Sequence, residues 1–423
     1  MTGLDHTVRR TLWLTLSMLS AFSMWYYVAN VWSVGQPAQF SDLYARWWGA
    51  RELLLHRRDP YSPEVTREIQ IVIYGAPVES SHPDDAAELA GGFAYPIYVV
   101  FLMWPTVYWA FPMVHNLFFC VFAALTLVSL LLWLSALRWR PAAVELGVIA
   151  VFTFGSFPLL QGLKLLNLSL LVAFLLAATM ASLAAEHFAL AGLLLAGATI
   201  KPQFVFLLIP SLALWTLGDW QRRRRLAWSF AAAMSALMLG GEVIAPGWVS
   251  RFLTIARAYR RYTYGHSLLD VWFSPRFGAV VAAVLVLVVL GVCWRWRSLS
   301  AQSSVFFLVF NWVLAATLVA IPTLEPHAQL LLLPGFLFLL QNGNRIWRSG
   351  KIARLSLTAA WVLPGWAWVA TAGMMLAAIR LPPITLRQWW GLPLYTSPLI
   401  PLGVFIILGF LLAKQSEHPS LAV

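Results

Sequence analysis

Charge and cysteine are both scarce in this chain, and each scarcity excludes a class of protein. Only 11% of the 423 residues are charged, against 60% hydrophobic. No stretch reads as a soluble domain, a low-complexity tract or a short-period repeat. The two cysteines, Cys120 and Cys293, lie inside apolar runs without metal-ligand spacing, which excludes a disulfide framework and a cysteine metal site. Also missing are a Walker loop, a dinucleotide fingerprint, a metal-ligand cluster and a Ser/His/Asp arrangement in recognisable context. Neither a cofactor nor a metal is expected.

What the chain has instead is hydrophobic runs of about 18 or more residues, recurring from end to end. These predict an all-α polytopic membrane protein, one integral membrane domain over residues 1–423. Its 23 tryptophans suit span ends anchored in the interface. A net charge of +12 in a soluble protein would point to nucleic acid. Here the excess sits in short clusters between apolar runs, where positive residues mark cytoplasmic loops, so membrane lipids rather than nucleic acid are the expected surroundings.

Arg9 and Arg10 precede the apolar run 11–32, which is too long for a signal-peptide core and lacks a small-residue cleavage site. It reads as a retained signal anchor with its N-terminus inside. An outer loop, 33–92, follows and holds nine of the seventeen acids. Within it, residues 41–57 predict an amphipathic helix lying flat at the membrane–water interface. Leu43, Trp47, Ala50 and Leu54 line one side of it, Arg46 and Arg51 load others, Ser41 stands at its start, and Asp59-Pro60-Tyr61 closes it. Residues 96–111, broken by Pro105 and Pro112, read as a re-entrant hairpin or tilted partial span.

From there the arginine clusters alternate the chain across the bilayer through runs 113–137, 142–160, 168–185, 188–199, 204–218, 226–245, 277–294, 303–321, 328–341, 355–379 and 396–413. The expectation is about twelve spans, a cell-membrane location and both termini cytoplasmic. The Arg222–Arg225 run is read as a topological signal only. The outer segment 246–270, with Arg251, Arg257, Arg260 and Arg261 among Tyr259, Tyr262 and Tyr264, departs from the charge rule. Anionic headgroups, a lipid-linked phosphate, a polar acceptor stacked on tyrosine, or a solvated amphipathic helix each account for it.

Spans placed by hydrophobicity and arginines alone leave Asp42, Lys164, Asn167, Lys201, Gln203, Glu325 and His327 on the non-cytoplasmic side. Polar groups at membrane depth are costly and persist mostly where they line a cavity or bind something. Each has an ordinary reading as well. Asp42 suits the first turn of a helix, and Lys201, between two short apolar halves before Pro202, is either a snorkelling lysine or a cation for a phosphate. His327, directly after Glu325-Pro326, is either structural or a donor to a phosphate or sugar oxygen.

In order along residues 10–340, the chain shows Asp42 with Tyr44, then Asp59-Pro60-Tyr61, Tyr95-Pro96, Asn167, Ala191-Gly192 leading to Lys201-Pro202, and His327 before a leucine-rich span. In this order the chain resembles the GT-C glycosyltransferases, specifically glycosyltransferase family 87, which includes polyprenyl-phosphate-mannose-dependent mannosyltransferases. It departs from the family's pattern at Tyr95-Pro96-Ile97, where Tyr-Pro-Pro is usual, and at Lys164-Leu165-Leu166-Asn167, where Gly-Gln-x-Asn is common. The resemblance implies a GT-C-type fold and transfer of a hexosyl, most simply mannosyl, residue from a polyprenyl-phosphate-linked donor to a hydroxyl of a lipid or glycan acceptor. It implies Asp42 as general base, with Lys201, Lys164 and His327 holding the donor phosphate. Tyr44, Tyr61, Tyr95, Asn167, Gln203, Glu325 and Arg260 are the substrate-contact candidates. A flippase or transporter of lipid-linked saccharides and a polymerase or ligase of them are the competing readings.

Overall fold

The computed structural model describes residues 11, 14–15, 17–79 except 27–36, 90–262, 267–321, 325–382 and 399–417. The predicted anchor 11–32 is thus described only in part, as a helix over 17–26 (α1), and Arg9, Arg10 and both chain ends lie outside the described residues. Among the described residues every regular element is helical.

The first loop folds into helix α2 (Asp42–His56) and helix α3 (Pro63–Tyr74). Ser62 caps α3 by accepting from the Val65 amide, and Gly75, with φ 83°, ends it in the left-handed turn that glycine adopts without strain. Ser41 precedes α2 in extended backbone but its hydroxyl makes no cap bond; Asp42 itself meets the helix dipole. The predicted single apolar side of this helix needs correction. Leu43, Trp47 and Ala50 are buried as expected, but so are Arg46 and Glu52, so α2 is packed on several sides rather than floating on one apolar face. Residues 96–111 form only helix α4 (Val99–Met103) and a single 3-10 turn, Trp104–Thr106. These are too short to cross a bilayer. They fold back onto α2, where Trp47 Nε1 donates to the Thr106 carbonyl and Arg51 to that of Val107.

The bundle follows: α5 (Phe111–Ala136), α6 (Ala143–Phe154), α7 (Phe157–Leu165), α8 (Ser169–Ala184), α9 (Phe188–Ala198), α10 (Pro202–Val205) and α11 (Leu208–Leu217). Then come α12 (Trp220–Ile244), α13 (Trp248–Tyr262), α14 (Leu268–Arg295) and α15 (Ser304–Ala320). A 3-10 segment, Pro326–Leu332, leads into α16 (Leu333–Gln341), α17 (Gly343–Arg348), α18 (Lys351–Ala377) and α19 (Leu399–Glu417). Helix α8 packs between α5 and α9, α9 against α12, α15 against α14 and α19, and α7 against the 3-10 segment. Every residue of α15 from Val305 to Val319 is buried, as an all-round apolar helix at the centre of a bundle should be. By contrast α12 and α14 turn Val243, Val280 and Leu287 outward, the pattern of a lipid-facing surface.

Among the described residues three helices, α5, α12 and α14, are long and apolar enough to cross a membrane, or five spans if the bent pairs α6–α7 and the two halves of α18 each count as one. Other predicted spans are shorter apolar helices such as α8, α9, α15 and the stretch Pro326–Gln341. The 16 residues of α8 rise about 24 Å, less than the roughly 30 Å of hydrocarbon. The predicted break at Lys201-Pro202 separates α9 from α10, whereas the predicted run 142–160 crosses Gly155, which lies against Ala21 and marks the 52° bend between α6 and α7.

Side-chain bonds sort the connections into two groups. At one end Arg222 pairs with Glu186, Arg223 donates to the Arg297 and Leu299 carbonyls, Gln341 to that of Leu137, and Lys414 to that of Ser349. At the other, Arg251 pairs with Asp59 and Tyr98 bonds Thr199, beside the cluster described next. The arginine-rich turns predicted to share a side are therefore neighbours. Arg223 corrects the purely topological reading of its run: it is buried, donates to three carbonyls including Trp215, and lies 3.8 Å over the Trp215 ring.

Candidate active site

Asp42 occupies the first position of α2, where the exposed amide end of the helix favours a carboxylate. Its Oδ2 accepts a 2.5 Å hydrogen bond from Asn167 Nδ2. Helix α7 ends at Leu166 in left-handed backbone, φ 48°, which turns the chain so that Asn167 starts the next helix. The Asn167 Oδ1 caps that start by accepting from the Ser169 amide at 2.9 Å and the Ser169 hydroxyl at 2.6 Å. It also accepts from Lys201 Nζ at 2.8 Å, which fixes the amide orientation: oxygen to the ammonium, nitrogen to the carboxylate.

Lys201 sits in the break between α9 and α10 and is buried. Its ammonium donates to Asn167, to Ser169 Oγ at 2.9 Å and to Glu325 Oε2 at 2.8 Å. All three ammonium hydrogens are thereby used. Glu325, just ahead of the 3-10 segment, also meets His327 Nε2 at 2.9 Å. An ionised carboxylate only accepts, so Nε2 carries the hydrogen and the neutral ring leaves Nδ1 as a bare acceptor. That Nδ1 is buried without a partner among the described residues. Burial disfavours the charged form of Glu325, but Lys201 and then His327 override it and hold the carboxyl well below its usual range.

Five predicted residues from four separate parts of the chain thus form one hydrogen-bonded chain: Asp42, Asn167, Lys201, and Glu325 with His327. Asp42 terminates it half-buried, with its second oxygen unbonded among the described residues.

The other candidates fall at different distances from this chain. The Tyr95 ring lies beside it, 5.9 Å from Lys201 Nζ, and Tyr61 donates to the Tyr95 carbonyl at 2.7 Å. Tyr61 is thus a buried support for Tyr95. Tyr44 points away, edge-on to Phe111 and stacked on Trp48, where burial and Glu68 push its phenol up to about 12. Lys164 is half-buried on the last turn of α7 and Gln203 part-exposed on α10; no bond in the chain above involves either. Arg260 lies in α13, but its side chain is outside the described residues.

Two site residues escaped the sequence reading. Ser169 was hidden as a small polar residue in an apolar run. Arg46 resembled a surface arginine, yet it is buried, donates to the Asp42 carbonyl at 2.7 Å and lies 4.3 Å over the Tyr95 ring. Its spacing of four from Asp42 was the available signal. Among the described residues no group of three or more His, Cys, Asp or Glu side chains is placed to hold a metal ion.

Comparison with protein-family models, curated proteins and solved structures returned no match.

Proposed function

We propose that the protein is a membrane glycosyltransferase of GT-C type, with about twelve spans. In this reading it transfers a hexosyl residue, most simply mannosyl, from a polyprenyl-phosphate-linked donor to a hydroxyl of a lipid or glycan acceptor on the non-cytoplasmic face. The observation that carries it is the hydrogen-bonded chain ending on the half-free carboxylate of Asp42. A general base needs one oxygen held and the other open, and Asn167 supplies the hold.

The proposed step is an inverting displacement. The open oxygen of Asp42 takes the proton of the acceptor hydroxyl, whose oxygen bonds to C1 of the sugar. The bond from C1 to the phosphate oxygen breaks, and the lipid phosphate leaves with the electron pair. Charge building on that phosphate calls for nearby positive groups. Lys201 contributes through its field while its hydrogens stay committed to Asn167, Ser169 and Glu325, so its role is to position Asn167 as much as to bind. His327 donates to a phosphate oxygen only when Nδ1 is protonated; in the neutral ring Nδ1 accepts from a hydroxyl, which suits the sugar or the acceptor.

The test is transfer of radiolabelled mannose from polyprenyl-phosphomannose in membranes carrying wild type or Asp42→Asn. The variant should reach wild-type levels in the membrane and transfer about 100- to 10,000-fold more slowly. Equal transfer by both proteins removes Asp42 as the base and the centre of this reading. A flippase or a ligase would tolerate the substitution.

A further inference from the structure

Arg46 is a buried cation beside Asp42 to which the proposed transfer gives no part. Side chains on a helix lean toward its N-terminus, and the Arg46 guanidinium reaches back over the first turn of α2, where it donates to the Asp42 carbonyl at 2.7 Å. The helix dipole disfavours a cation there, and burial disfavours it again. No side-chain cap holds this turn: Ser41 stands at the cap position and its hydroxyl makes no cap bond. The guanidinium also lies 4.3 Å over the Tyr95 ring. Lys201 Nζ lies 5.9 Å from the same ring and reaches Asp42 through Asn167. These contacts close a circuit through Asp42, Asn167, Lys201, Tyr95 and Arg46. Asp42 is thus held twice, by Asn167 at the carboxylate and by Arg46 at the backbone. Tyr61, donating to the Tyr95 carbonyl at 2.7 Å, steadies the backbone that carries the ring.

We infer that Arg46 is the positioning residue of the proposed base: it fixes the first turn of α2 so that the open oxygen of Asp42 faces the acceptor hydroxyl. The inference rests on the proposed transfer. A carboxylate on the first turn of a helix moves with that turn, and Asn167 holds it by one oxygen. Arg46 ties the same turn to Tyr95 through a second, separate contact. The planar guanidinium suits both tasks at once, donating in its plane while its face lies on the ring; an ammonium donates without stacking. Orientation at this level matters to rate, because a misplacement of about 1 Å costs about 100-fold.

The experiment measures mannosyl transfer at varied polyprenyl-phosphomannose concentration in membranes carrying the full chain as wild type, Arg46→Met or Arg46→Lys, with rates normalised to folded protein from melting curves. Arg46→Met keeps an apolar stem and removes both contacts, so kcat should fall about 100-fold while KM for the donor stays unchanged. Arg46→Lys keeps a donor and loses the stack, so its kcat should lie between those of Arg46→Met and wild type at the same KM. Should Arg46→Met fail to reach the membrane, Arg46→Lys decides alone, and a wild-type kcat in it overturns the inference. A raised KM with kcat unchanged overturns it in favour of a direct contact with the donor phosphate. No transfer by the wild type removes the proposed reaction and the inference together. Transfer that Asp42→Asn abolishes and Arg46→Met leaves intact removes the inference alone.

Discussion

At the residue scale the pair Lys201–Glu325 decides how the site is held. Taken alone, a lysine with 3% of its side chain exposed would be severely penalised by burial. Glu325 makes it tolerable, and Asn167 and Ser169 use its other hydrogens. Removing one partner of a buried pair costs more than the pair contributes, because it strands a charge. Glu325→Gln is therefore expected to cost about 3 kcal/mol in detergent unfolding, and Lys201→Met combined with Glu325→Leu to cost less than Glu325→Gln alone. A double-mutant cycle measures this.

The pH dependence has a definite sign. The folded carboxyl titrates below the 4.5 of a free glutamate, so its contribution is complete above that pH and fades as acid carries it through the lowered value. Melting temperatures of wild type and Glu325→Gln should accordingly converge on acidification. A gap that stays constant as the pH falls below 4.5 would show that Glu325 is not ionised in the fold.

At the element scale the site depends on how closely α9 approaches α12, because α9 delivers Lys201. A Cβ on Gly192 would stand 2.5 Å from the Leu226 carbonyl oxygen and 2.8 Å from the Phe230 amide nitrogen of α12. Both are helix backbone and cannot rotate away. Small residues permit such close approach between membrane helices. Gly192→Ala is expected to push the helices apart at a cost of about 1–3 kcal/mol, with a fall in any Asp42-dependent transfer as Lys201 leaves Asn167. Gly291→Ala, with nothing within 4 Å of its Cβ, is the matched control. Equal melting temperatures for the two variants would mean that α9 and α12 have slack.

At the scale of the whole molecule the two groups of connections separate the polar cluster from the arginine-rich turns. If the charge rule holds, the turn at Arg222–Arg225 faces the cytoplasm and the Asp59–Arg251 pair faces away. A cysteine placed at Ser62 in a background lacking Cys120 and Cys293 should react with an impermeant maleimide on intact cells. One placed at exposed Arg224 should react only after permeabilisation. The reverse pattern would put the Asp42 chain on the cytoplasmic side and remove the proposed outer-face reaction.

Much of this was legible in the chain because membrane burial leaves a strong imprint. Apolar runs marked the helices, arginines marked one end, and five of the seven residues too polar for their surroundings meet in space, Lys164 and Gln203 being the exceptions. Asp42, Asn167, Lys201, Glu325 and His327 were each visible as such an oddity. Arg46 was not, since an arginine four residues after an acid on a helix looks the same whether it faces water or a tyrosine ring. Nor was Arg223, whose neighbours Arg222, Arg224 and Arg225 are exposed and differ from it only in what lies opposite. The bend inside run 142–160 was missed for a similar reason: hydropathy sums over a break, while Gly155 bends the helix through backbone geometry. Composition and order by themselves determined a helical membrane protein with its unusual polar residues gathered toward one side. Only the tertiary structure decided which donor meets which acceptor, because a hydrogen bond across 125 residues, such as Asn167 to Asp42, depends on helix ends brought together by packing that no local pattern encodes.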